Sequence, residues 1–159
     1  MDESEGFSEE LTEDKEEVDT EKRLGISKRI MIMGVSEKIK LAFLGNREAR
    51  NILIKDSNKL VTTAVLNSPK ITEAEVAKVT QSRSVDKDLL KIIAYKKEWL
   101  QNYQIRLGLV NNPKTPIQIA LKLLSRLNDR DLKAIARNKN ISSAITATAK
   151  YAIQRKGRA

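Results

Sequence analysis

Two pairs of carboxylates, Asp86-x-Asp88 and Asp129-x-Asp131, come closest in this chain to a catalytic or metal-binding arrangement. Residues two apart on a helix point about 200° from each other, so neither pair converges on one substrate or ion. Both stand at the start of apolar stripes, where a carboxylate in the first turn favours the positive end of the helix. The sequence holds no histidine and no cysteine. That leaves no imidazole base, no thiolate and no zinc site of the Cys/His type. The glycines are isolated and build no phosphate-cradling loop, and Gly45-Asn46 reads as a helix stop. Serine and threonine are plentiful, yet without histidine a hydrolytic triad would need a lysine base, and no local pattern supplies one. The chain reads as non-catalytic, with no cofactor and no small-molecule substrate.

What remains is the chemistry of positive charge. The formal net charge of +9 is unevenly spread. Residues 1–23 hold eleven acids against Lys15, Lys22 and Arg23, whereas residues 24–159 hold 27 bases against ten acids. The acidic stretch has few apolar residues with which to offset its ordering entropy, which predicts a disordered tail over 1–23. Such a tail is a solubilising extension. Folded back over the basic body, it would also compete with an anionic partner at millimolar effective concentration, and salt would weaken it. Residues 24–35, LGISKRIMIMGV, read as a transition segment with a poorly formed helix. The acidic, polar start is the reverse of a signal peptide, and no window approaches the 18 apolar residues of a membrane span. A cytoplasmic protein is expected.

An internal repeat governs the elements that position these charges. Asn67-Ser68-Pro69-Lys70 lines up with Asn111-Asn112-Pro113-Lys114, 44 residues on. After a one-residue gap, Ala77 matches Ala120, Ser82-Arg83 matches Ser125-Arg126, and Asp86-Lys87-Asp88-Leu89 matches Asp129-Arg130-Asp131-Leu132. Lys96 then matches Lys139. A partial third copy is read in residues 39–59. Thr72 with Glu75 suggests a capping box, and Thr115-Pro116 and Ser142 mark two further helix starts. Apolar stripes such as Leu89, Leu90, Ile92 and Ile93 give each helix one buried face. Helices this short are not stable alone and require stacking. The prediction is an all-α fold, an α-solenoid of about nine short stacked helices over 36–155, ending in a basic stretch at 156–159.

With its period and turns, the chain resembles the HEAT-like superfamily of helical repeats. Residues 103–124 are similar to the leucine-rich variant repeats, in which a turn of Asn-Pro-x-Thr-Pro type joins two helices. Here that turn is carried by Ile105, Arg106, Val110, Asn112, Pro113, Thr115 and Pro116. The earlier copy departs from it, with Thr62 in place of the arginine and Ile71-Thr72 in place of Thr-Pro. The resemblance implies scaffolding or recognition rather than catalysis.

Repeats place equivalent residues in columns. Lys70 with Lys114, Arg83 with Arg126, Lys87 with Arg130 and Lys96 with Lys139 are basic in both copies, and Arg137 lies near the same turns. These columns are the candidate binding residues, and an acidic protein surface is the expected partner. Sequence-independent nucleic-acid binding, held off by the acidic tail, is the alternative. Aromatics for base stacking are scarce. Tyr95, Trp99 and Tyr103, spaced by four, are expected on one helical face within the core.

Overall fold

Polar side chains start these short helices. Asn46 accepts a hydrogen bond from the Ala49 N–H at 2.9 Å, Asn58 from Leu60 at 2.9 Å and Asp86 from Asp88 at 2.8 Å. Asn102 caps toward Gln104 at 2.9 Å, Asn128 toward Asp131 at 2.8 Å and Ser142 toward Ala144 at 3.3 Å. Each cap satisfies an amide that a helix start leaves unpaired. The computed structural model describes residues 6–15 and 19–158. Among these the chain is all-α, with eleven α-helices, a 3-10 turn at Trp99–Gln101 and no strand. No helix of the described residues is long and apolar enough to cross a membrane.

The chain divides into two compact units, residues 1–72 and 73–159. The first unit contains α1 (Glu9–Thr12), α2 (Thr20–Met31), α3 (Val35–Leu44), α4 (Arg47–Leu53) and α5 (Lys59–Leu66). Helix α2 packs against α4, with Arg23 3.7 Å from Glu48. Helix α3 runs parallel to α5: Lys38 pairs with Asp56 at one end, and Lys70 Nζ donates to the Leu44 carbonyl at the other. Leu11, Ile26, Ile30, Leu41, Leu53 and Val61 meet in one core.

That core takes in part of the stretch expected to be a disordered tail. Leu11 is 1% exposed. Its carbonyl accepts from the Asn46 N–H at 2.6 Å, and the Asn46 side chain donates to the Glu10 and Glu13 carbonyls, both at 2.8 Å. Arg29 binds Glu10 at 3.0 Å and Ser8 at 2.7 Å. One leucine and a set of backbone bonds anchor a stretch whose composition alone points to disorder. Residues 1–5 and 16–18 of the predicted tail lie outside the described residues. The transition segment 24–35, read as a poorly formed helix, forms most of α2 and contributes Ile26 and Ile30 to the core.

The second unit contains α6 (Glu73–Gln81), α7 (Lys87–Tyr95), α8 (Tyr103–Asn111), α9 (Ile117–Leu124), α10 (Asp129–Ala136) and α11 (Ser143–Gly157). Helices α6, α8 and α10 are parallel. Asn102, at the start of α8, donates to Glu73 at the start of α6, and Asn112, just beyond α8, donates to Thr80 near the end of α6. Tyr103 meets Asp131 near the starts of α8 and α10, and Asn138 meets Asn111 at their ends. Helices α9 and α11 run the opposite way and pack against α8 and α10. The aromatic face does not form as expected, because Tyr95, Trp99 and Tyr103 fall on three different elements. Trp99 is buried beneath Lys96, whose ammonium stands 4.2 Å from the ring, while Tyr95 is 79% exposed.

Candidate binding surface

One connection recurs between helices. It begins with a small polar residue at 68, 82, 112 or 138 and places the residue before the next helix four positions on, at Thr72, Asp86, Pro116 or Ser142. The Ser68, Asn112 and Asn138 side chains accept from the amide two residues on, at 3.4, 3.0 and 2.8 Å. At 82 the serine hydroxyl instead meets the Ser84 hydroxyl at 2.9 Å. The third position points inward and carries Ile71, Val85, Thr115 or Ile141. Thr115 is buried there and does not cap α9. Positions one and two form the tip, which must face water. Lys70, Arg83, Lys114 and Lys139 are tip residues, and all four are exposed.

In the second unit three such connections are tied together. The Asn112 side chain donates to the Thr80 carbonyl at 2.7 Å and the Ser82 carbonyl at 2.9 Å. The Asn138 side chain donates to Asn111 Oδ1 at 3.2 Å, and Asn111 donates to the Leu107 carbonyl at 3.2 Å. Between them opens a cavity of about 380 Å³, lined among others by Gln81, Arg83, Gln104, Gly108, Asn111 and Asn138. The lining is amide-rich and carries one guanidinium.

The predicted columns divide between the two ends of this unit. Arg83, Lys87, Lys114, Arg137 and Lys139 lie at the cavity end, where α6, α8 and α10 finish. Lys96, Arg126 and Arg130 lie at the other end, about 13 Å away along the nine-residue α8. There Arg126 donates to the Leu100 carbonyl at 3.4 Å. Of each matched pair in this unit, one member therefore sits at either end. The cause is a mismatch of periods: the sequence repeat spans three helices, so it equates α6 with α9 and α7 with α10, which point in opposite directions. Lys70 belongs to the first unit, where it closes the end of α3.

Arg83, Lys87, Lys114, Arg137 and Lys139 have no carboxylate partner among the described residues. At the far end Arg126 and Arg130 likewise have no carboxylate partner among the described residues, whereas Lys156 does. The Lys156 ammonium, 2.6 Å from Asp129, holds that carboxyl below its ordinary range by hydrogen bond and charge. Burial and the hydrogen bond to Asp131 push the Tyr103 phenol up.

The sequence reading missed Gln81, Gln104 and Asn138. The spacing of four from a Ser or Asn to a helix start marks Asn138 and the turn beside Gln81, whereas Gln104, in the first turn of α8, carries no such signal. No family model matches the chain, and no curated protein or solved structure matches it.

Proposed function

We propose that this chain is a non-catalytic helical-repeat module of the HEAT-like α-solenoid kind, and that it binds an acidic segment of a partner protein. The observation that carries this reading is the set of unmatched cations at the cavity end of the second unit, Arg83, Lys114, Arg137 and Lys139. Cations on turn tips stay hydrated and add little to folding. Gathered on neighbouring turns, they steer and hold a polyanion.

The experiment is fluorescence anisotropy of a labelled glutamate-rich peptide with the full chain, at low and at physiological salt, beside a single-stranded oligonucleotide of equal charge. Arg83→Glu/Lys114→Glu/Lys139→Glu is expected to lower peptide affinity at least about tenfold, and Lys96→Glu/Arg126→Glu/Arg130→Glu to change it little. Equal losses in both triple variants would reject the assignment to the cavity end. Tighter binding of the oligonucleotide would put nucleic acid in place of the acidic protein.

A further inference from the structure

We propose that the cavity receives the main chain of the acidic segment as an extended strand, while the turn-tip cations take its carboxylates; this rests on the reading above. The first ground is hydrogen-bonding capacity. The side-chain amides of Gln81 and Gln104 are exposed and have no hydrogen-bond partner among the described residues. Asn111 and Asn138 each spend one N–H, on Leu107 and on Asn111 respectively, and keep a second. A primary amide offers two donors and an acceptor, which match the carbonyl and N–H of a peptide unit. Asn112, by contrast, is committed inward to Thr80, Ser82 and Lys114, and so belongs to the scaffold.

The second ground is the sign of the local field. The lining comes from the end of α6, from α8 between Gln104 in its first turn and Asn111 at its end, and from the connections after α6, α8 and α10, with no residue of α7, α9 or α11. Carbonyl ends of helices carry partial negative charge, which favours donors and opposes a bare anion. A carboxylate or phosphate seated deep in the cavity would face those ends. Main-chain N–H groups would be welcome there, and acidic side chains alternating outward would reach Arg83, Lys114 and Lys139 at the rim. Leu107 and Pro113 add an apolar wall for the strand to lie against.

The test separates main chain from charge. Poly-L-glutamate of about twelve residues is compared with polyacrylate of equal carboxylate number, which has no amides, by competition against labelled poly-glutamate on the full chain. Poly-glutamate is expected to bind about tenfold tighter, as two or so net hydrogen bonds would give. Gln81→Ala/Gln104→Ala is expected to bring it down to the polyacrylate level with the salt dependence unchanged. Glutamate peptides N-methylated at alternate residues, binding the unaltered chain no better than polyacrylate, would agree without any change to the protein. Equal binding of the two polymers, or a preference that survives both changes, overturns the main-chain proposal and leaves the charge reading standing. Binding of neither polymer at low salt overturns both.

Discussion

Gly108 of α8 lies so near Thr80 of α6 that a Cβ on it would stand 2.0 Å from the Thr80 hydroxyl oxygen and 2.9 Å from its Cβ. The hydroxyl is held by the Ala77 carbonyl at 2.6 Å, and Thr80 is fully buried. This approach brings Asn112, one turn beyond Gly108, within reach of the Thr80 carbonyl. Gly108→Ala is therefore expected to lower stability by about 2 kcal/mol, overpacking outweighing the gain in helix propensity. Urea unfolding of the single variants and of Gly108→Ala/Thr80→Ala measures the coupling. Strictly additive effects would count against the contact.

The all-α class and the starts of α6, α7, α9, α10 and α11 were legible because they rest on local signals: caps, apolar stripes and Asn/Lys-rich turns. The arrangement of the basic residues was not. Arg83 and Arg126 match in sequence, yet whether matched residues share an end depends on helix direction, and a period of three helices reverses direction at each copy. Leu11 was illegible for a different reason. A single leucine among acids carries no periodicity, and only the core formed by α2 and α4 shows that it is wanted. Gly108 looked like one isolated glycine among several, and its role comes from a neighbour 28 residues earlier.

The anchored N-terminal stretch leads to an expectation opposite to that of a free tail. Leu11→Ala should cost about 3 kcal/mol, the usual range for emptying a fully buried leucine site. A free tail would give a change near zero. Thermal unfolding of the full chain decides between the two, and Glu9→Ala, at an exposed position on the same helix, is the control.

Asp56 gives the first unit a dependence on pH. Burial alone would raise its carboxyl, but the Lys38 ammonium at 2.7 Å and the Asn58 N–H at 2.8 Å hold it below the ordinary range. A depressed folded-state value means the unfolded chain takes up the proton first as pH falls. The contribution is fully present above the unfolded value of about 3.9 and is lost as pH drops through the lower folded value. Asp56→Asn should cost about 2 kcal/mol at pH 7. The gap between the two proteins should close on acidification below about pH 4, as read by urea midpoints from neutral pH downward. A gap independent of pH would show that the carboxylate's charge is not what matters.

Thr115 is the one member of its recurring position with a polar atom turned inward. Val85 and Ile141 fill the equivalent sites, all three are buried, and Thr115 Oγ1 has no hydrogen-bond partner. A hydroxyl buried without a partner costs its desolvation and returns nothing, while valine has nearly the same shape. Thr115→Val should raise stability by about 1 kcal/mol, seen as a higher urea midpoint at unchanged slope. Thr80→Val provides the contrast. Thr80 is also buried, but its hydroxyl donates to Ala77, so the same exchange there should destabilise. If Thr115→Val destabilises as well, the hydroxyl has a partner that its surroundings do not reveal, and the inward position is not simply apolar.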